Sequence, residues 1–269
     1  MSTPAEDRAS APANVCLVVP CYNEEGRLDR AAFLDALRNQ PNLFLWFVDD
    51  GSADGTTAVH TRLQANVPDR IGVLALGSNR GKGEAVRLGM LDALERLGEG
   101  VAHVGFWDAD LSTPLSEAPH LQAALNSHAE LVAALGSRVR LLGRDIARRP
   151  VRHYLGRVFA TAASLVLRLP VYDTQCGAKL FRAGPVLREA LTSPFRSRWI
   201  FDVELIARLA QAAREAGQDP EAWVHEVPLR AWTEMAGSRL RARDYLNAVR
   251  DLWVIRRTYR ENESRRLAD

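Results

Sequence analysis

Asp108 and Asp110 stand two residues apart, directly after an apolar run and just before Pro114. Two carboxylates at that spacing repel each other unless a proton or a cation sits between them. Hard divalent ions such as Mg²⁺ or Mn²⁺ favour carboxylate oxygens and commonly keep a ligand phosphate in their shell. The pair is therefore a candidate metal site, beside the ordinary alternative of caps and turn residues. Three other polar clusters could join it: Tyr22-Asn23-Glu24, Asp49-Asp50 and Asn79-Arg80-Gly81-Lys82. A lysine ammonium is a compact point charge that suits phosphate. Of 35 basic residues only Lys82 and Lys179 are lysines, and both fall inside polar clusters of this kind. Asn23 and Ser52 carry the chemistry of turns and caps.

Each cluster needs an element to hold it. Continuous apolar runs at 15–20, 43–48, 71–76 and 101–107 predict strands covered on both faces. A fifth strand is expected at 129–135. Helical periodicity falls between them, at 28–38, from an Asp54 cap to about 65, at 84–97 and at 114–126. This alternation implies a doubly wound, parallel α/β sheet with right-handed crossovers. Ligands on such sheets bind at the carboxyl ends of the strands, where all four polar clusters would lie.

Composition sets the bounds. The chain has 269 residues, 47% of them apolar and 25% charged, as in an ordinary globular protein with one large core. A net charge of +2 argues neither for nor against nucleic acid. Cys16, Cys21 and Cys176 have no metal-like spacing and suit a reducing compartment. Residues 1–13 read as a disordered leader without a signal-peptide pattern, and no run is long enough for a membrane span.

The second half changes character. An arginine-rich loop (Arg138, Arg140, Arg144, Arg148, Arg149, Arg152) precedes a helix expected at 151–169. Residues 173–182 read as a loop followed by a strand, and 199–215 as a loop leading into a helix. Pro228 makes the late strand at 223–229 an edge candidate. The segment 245–259 is amphipathic, with Leu246, Val249 and Trp253 on one face amid arginines.

The motifs Val18-Val19-Pro20-Cys21-Tyr22-Asn23-Glu24-Glu25, Val48-Asp49-Asp50-Gly51-Ser52, Asn79-Arg80-Gly81-Lys82-Gly83 and Asp108-Ala109-Asp110 occur in that order. Together they resemble glycosyltransferase family 2. Asp173-Thr174-Gln175-Cys176-Gly177-Ala178-Lys179-Leu180-Phe181 and Trp199-Ile200-Phe201-Asp202-Val203-Glu204 resemble its dolichyl-phosphate β-glucosyltransferase-like, or polyprenyl-phosphate, branch. The resemblance implies a GT-A type fold, Rossmann-like and mostly parallel with helices on both faces, plus a C-terminal amphipathic helix. It implies a catalytic domain over 14–235, with a nucleotide-sugar half at 14–136, an acceptor half at 137–235 and a helical tail at 236–269.

It also implies an inverting, metal-dependent transfer of a hexose, glucose from UDP-glucose, to a polyprenyl or dolichyl phosphate. Asp108 and Asp110 would hold Mg²⁺ or Mn²⁺, and Asp110 would act in catalysis. Pro20, Tyr22, Glu24, Asp49, Asp50, Lys82, Asp108, Ala109 and Arg138 would bind the nucleotide sugar. Arg148, Arg149, Gln175 and Lys179, with Arg152 and Arg182 nearby, would bind the acceptor. A phosphate acceptor is already ionised near neutrality; a hydroxyl acceptor needs a general base, for which Asp202 is the candidate, beside its ordinary use as a helix N-cap. Expected partners are a UDP-hexose, the acceptor and an anionic membrane surface touched by the tail, with no nucleic acid. The implied location is cytoplasmic, peripheral at the cytoplasmic membrane face. The competing readings are the same donor with a soluble or peripheral hydroxyl acceptor, a nucleotidyltransferase, and a nucleotide-binding protein without catalysis. A nucleotidyltransferase is expected to carry a basic, Gly-rich loop after the first strand, whereas Cys21 to Gly26 is acidic.

Overall fold

The computed structural model describes residues 14–147, 150–235 and 242–266, with the side chains of 147, 150–155, 242–246 and 260–266 outside that description. The expected leader at 1–13 and the proposed acceptor contacts Arg148 and Arg149 therefore lie outside the described residues. The elements run β1 (Val15–Cys21), α1 (Arg30–Asn39), β2 (Leu43–Asp49), α2 (Thr56–Asn66), β3 (Ile71–Ala75), α3 (Lys82–Leu97), β4 (His103–Trp107), α4 (Ala118–Ser127) and β5 (Ala133–Ser137). They continue with β6 (Asp145–Ala147), α5 (Pro150–Leu167), β7 (Ala178–Arg182), α6 (Pro185–Thr192), α7 (Phe201–Glu215), α8 (Pro220–Trp223), β8 (Val224–Pro228), β9 (Ala231–Thr233) and α9 (Ala242–Arg266).

Seven strands form one sheet in the order β3-β2-β1-β4-β7-β5-β8. Its pairings are parallel except for those of β7, which runs antiparallel to both β4 and β5. The insertion of β7 between the fourth and fifth strands departs from the simple parallel expectation. Pro228 lies in the edge strand β8, where a missing backbone N–H leaves no partner unsatisfied on the outer side. A two-stranded ribbon, not foreseen, pairs β6, inside the expected arginine-rich loop, with the distant β9.

Alternation along the strands divides the core. On β1, Cys16 and Val18 point to one face, while Val15, Leu17, Val19 and Cys21 point to the other. The first face is covered by α3, α5, α6, α7 and α9, and the second by α1, α2 and α4. Close packing of α3 depends on Gly89, where a Cβ would come within 2.5 Å of the Val48 side chain and 2.6 Å of Val18. Among the described residues no helix is long and apolar enough to cross a membrane. Helix α9 packs on the domain through the buried Ala248, Leu252 and Ile255, and leaves Val249 and Trp253 exposed.

Two helix starts differ from expectation. Gly55, not Asp54, is the N-cap of α2; the Asp54 carboxylate accepts instead from the Thr56 N–H at 3.0 Å and the Thr56 hydroxyl at 2.5 Å. Ile200 caps α7, which places Asp202 inside the first turn rather than at the cap.

The approach of β4 to β7 is tight at Gly105, where a Cβ would stand 2.0 Å from the Lys179 carbonyl oxygen. Gly105→Ala must push one of these backbones aside. We expect a loss of about 2 kcal/mol, seen as a melting temperature lower by roughly 4–8 °C.

Candidate active site

The carboxyl ends of β1, β2, β4 and β5 share one rim, because these strands run the same way. The antiparallel β7 brings the loop before it, residues 173–177, to that same rim. Asp108 donates its N–H to the Gly177 carbonyl at 3.0 Å, which joins the two segments. A Cβ on Gly177 would lie 1.9 Å from Asp108 Oδ2, so a side chain there would have to displace the Asp108 carboxylate. After Asp110 the chain turns sharply at Leu111, whose φ is +51°. Asp110 Oδ1 accepts from the Ser112 N–H at 2.9 Å, and Trp107 Nε1 donates to the Thr113 carbonyl at 2.7 Å. The loop is thus braced on both sides of the acidic pair.

A cavity of about 320 Å³ opens at this rim. Its lining mixes charged and polar side chains (Lys82, Asp108, Asp110, Arg138, Gln175, Arg198, Asp202 and Glu234) with apolar ones. Phe159, Trp199, Phe201, Trp232, Met235 and Ala248 are among the apolar ones, Phe159 from α5 and Ala248 from α9. Lys82 opens α3 and places its ammonium 2.5 Å from Asp108 Oδ1. Burial opposes its charge, but Asp108 first, then Asp202 and Asp110, outweigh that and raise its pKa.

Asp202 is nearly buried and is held from three directions. Gln175 Nε2 donates to Oδ1 at 2.6 Å, the Val203 N–H donates to the same oxygen at 2.9 Å, and Lys179 Nζ stands 3.5 Å from Oδ2. Burial pushes its pKa up, against the pull of Lys179 and Lys82. Lys179 itself is 0% exposed and donates to the carbonyls of Thr174 and Cys176 at 2.8 and 2.6 Å. This corrects the expectation that Lys179 touches an acceptor: its ammonium lies beneath the cavity floor, where it supports Asp202 and the 173–177 loop.

Arg138 grips Asp173 with Nε and Nη2, both at 2.7 Å, while its guanidinium lies over Trp232 at 5.4 Å. Burial disfavours its charge, but Asp173 overrides this and raises its pKa. Glu226 anchors the same loop by accepting from the Tyr172 and Asp173 N–H groups at 2.6 and 2.7 Å. Arg182 is not at the rim. It ends β7 opposite His103, at the amino end of β4, and donates to the carbonyls of Leu131, Leu125 and His128.

The residues expected at the nucleoside end separate into two kinds. Asp49 is 2% exposed, and its carboxylate accepts from the Ser52 N–H at 2.9 Å and from the Thr57 hydroxyl. It clamps its own loop, and this corrects its assignment to ligand. Asp50 is also buried and accepts from the Arg80 and Gly81 N–H groups at 2.7 and 2.8 Å, which ties β2 to the start of α3. Its carboxylate faces backbone rather than the cleft. Tyr22 is exposed on the β1 loop, and Glu24 pairs with Arg27 at 3.6 Å. Pro20 is the penultimate residue of β1, and Ala109 is buried between the two acids. Asn23 and Ser52 lace the loops together: the Asn23 N–H donates to Ser52 Oγ and the Ala53 N–H to Asn23 Oδ1, each at 2.9 Å.

Sequence reasoning missed Arg198, Phe159, Trp232 and Met235. Arg198 lines the cavity, donates to Asn79 Oδ1 at 2.7 Å and lies across Gly81. The dipeptide Arg198-Trp199, ahead of the Ile200-Phe201-Asp202 motif, was the available signal for Arg198. Nothing local marked the apolar wall.

The donor set fits a hard divalent cation. Asp108 and Asp110 both line the cavity, and the space beside them can take further ligand oxygens. Among the described residues no group of three or more His, Cys, Asp or Glu side chains forms a metal cage. Two carboxylates completed by phosphate oxygens are the arrangement that remains.

A family profile described as "Glycosyl transferase family 2" matches residues 16–187. The chain belongs to glycosyltransferase family 2. It is therefore an enzyme, a glycosyltransferase, and the nucleotidyltransferase and non-catalytic readings fall away. The dolichyl-phosphate beta-glucosyltransferase of Drosophila melanogaster is 36% identical over 265 residues, covering 93% of this glycosyltransferase and 76% of the fly protein. The human protein of the same name is 32% identical over 269 residues, covering 93% and 77%. Among solved structures, glucosyl-3-phosphoglycerate synthase from Mycobacterium tuberculosis, in complex with Mn²⁺, UDP and glucosyl-3-phosphoglycerate, aligns with a TM-score of 0.59 at 20% identity. That alignment covers 92% of this chain and 80% of the synthase, and it shows that the two share a fold.

The Lys179–Asp202 pair can be tested apart from turnover. Lys179→Met leaves a buried carboxylate without its nearest cation and is expected to cost about 3 kcal/mol in urea unfolding. Adding Asp202→Asn should recover part of that loss. Strictly additive losses in the double variant would mean that the two groups do not interact.

Proposed function

We propose that this glycosyltransferase moves glucose from UDP-glucose to a polyprenyl phosphate with inversion at the anomeric carbon. One observation carries the reading: a single cavity is lined both by an acidic pair with a lysine and by aromatic and aliphatic side chains. The charged groups suit a diphosphate and a cation, and the apolar ones suit the hydrocarbon next to an acceptor phosphate. The relatives named dolichyl-phosphate beta-glucosyltransferase support the same pairing.

The chemistry follows from charge. An oxygen of the acceptor phosphate attacks the anomeric carbon, and the bond to the β-phosphate breaks with its electron pair leaving on UDP. Asp108 and Asp110 would hold Mg²⁺ or Mn²⁺, which when bound supplies positive charge to the departing diphosphate. Lys82 adds a cation on the same side. Tyr22 and Glu24, on the β1 loop, are the residues we assign to the nucleoside. Arg198, at the lip, is the described cation best placed for the acceptor phosphate, and Arg148 and Arg149 belong to the same arginine-rich region of the sequence. In this reading residues 14–136 serve the donor and 137–235 the acceptor.

Asp202 supports a second reading. A buried carboxylate with a raised pKa suits a general base, which a hydroxyl acceptor needs and a phosphate does not. Product partition decides between the two. Radiolabelled UDP-glucose incubated with the enzyme and a cell lipid extract should yield an organic-soluble, mild-acid-labile product. Label that stays in the aqueous phase would favour the hydroxyl acceptor. Asp110→Ala should lower the rate at saturating donor by about 100-fold or more, and an undiminished rate would remove Asp110 from the reaction.

We further propose peripheral contact with an anionic membrane. Val158 and Leu165 on α5 and Val249 and Trp253 on α9 are exposed apolar side chains, and Arg250, Arg256 and Arg257 are exposed beside the α9 pair. This composition suits a lipid surface. Co-sedimentation with anionic vesicles is expected at low salt, weakening as salt rises. Val249→Asp with Trp253→Asp should abolish it, and unchanged sedimentation would exclude that face.

A further inference from the structure

Lys82 occupies the place where a cation would neutralise Asp108. Its Nζ is 2.5 Å from Asp108 Oδ1, so an ammonium already offsets the negative charge that a divalent ion would meet there, and repels that ion. We propose that Lys82 is a built-in counter-ion that holds divalent metal off the acidic pair until a nucleoside diphosphate arrives, so that metal binding depends on the donor. The proposal rests on the nucleotide-sugar reading above and adds an order of events to it.

The geometry allows the exchange. The Lys82 side chain is 45% exposed and sits on a flexible four-carbon stem. Its backbone does not need to follow, because Asp50 pins the preceding Arg80 and Gly81 N–H groups at 2.7 and 2.8 Å. Gly81 is further enclosed by Arg198, whose Nε would lie 2.6 Å from a Cβ at that position. Movement is therefore confined to the lysine side chain. A bound diphosphate offers the ammonium a new anionic partner within the same cavity, and this exposes the Asp108 oxygen to the incoming cation. Without a diphosphate, a metal would have to displace Lys82 and leave its charge facing another cation, which opposes binding. Lys179 cannot take over this task, since it is buried and engaged by two carbonyls.

The test reads Mn²⁺ binding directly, by the electron paramagnetic resonance signal of unbound Mn²⁺, with and without UDP. The wild-type protein should bind Mn²⁺ weakly alone and at least tenfold more tightly with UDP. Lys82→Met should bind Mn²⁺ without UDP at least tenfold more tightly than wild type. Lys82→Arg, which keeps the charge, should stay close to wild type. If Lys82→Met binds Mn²⁺ no better than wild type while UDP still promotes wild-type binding, the counter-ion role is overturned and glycosyl transfer stands. If Lys82→Arg matches Lys82→Met, charge is not the cause and the proposal fails. A wild type that binds no Mn²⁺ even with UDP overturns the donor reading and this proposal together.

Discussion

Four carboxylates line one cavity, and the mutual repulsion of three of them, Asp108, Asp110 and Asp202, is the constraint that shapes what lies near them. The protein answers with its only two lysines. Lys82 approaches Asp108 from the solvent side, and Lys179 approaches Asp202 from inside the core. The two cations are not equivalent. One is half-exposed at the cavity, whereas the other is buried and held by two backbone carbonyls. A site assembled this way has part of its negative charge neutralised before any ligand enters, with one of the neutralising groups exposed at the cavity.

The direction of β7 makes that arrangement possible. Because it runs against β4 and β5, its first residue lies near the carboxyl ends of its neighbours. The 173–177 loop then carries Gln175 to Asp202, Asp173 to Arg138, and Gly177 to Asp108. A parallel strand in that slot would have placed the same loop at the opposite edge of the sheet. Arg182, at the far end of β7, shows the other side of that geometry: it caps carbonyls around 125–131 and takes no part in the site.

Much of this was legible from residue order, and the reasons differ by element. The runs that became β1, β2 and β4 announced themselves because strands covered on both faces need unbroken apolar sequence. The Asp108–Asp110 pair and Lys82 were legible because their chemistry is local and their strand ends are predictable. Asp49 and Asp50 were harder, since sequence gives a carboxylate but not its direction; Asp49 turned to an N–H of its own loop and Asp50 to two N–H groups of the loop before α3. Lys179 was misread for a related reason: its partners are carbonyls that only the fold brings near. The polarity of β7, the β6–β9 ribbon and the aromatic wall of the cavity depend on contacts between distant segments, which periodicity does not encode.

The lysine count has a practical side. Arginine fills nearly every cationic position in this sequence, so side-chain primary amines are scarce: Lys82 and Lys179. With Lys179 sealed in the core and Lys82 standing at the cavity, an acylating reagent has one side-chain target, and that target is inside the cleft. Occupancy of the cleft would therefore be readable as protection of a single amine, without a labelled substrate.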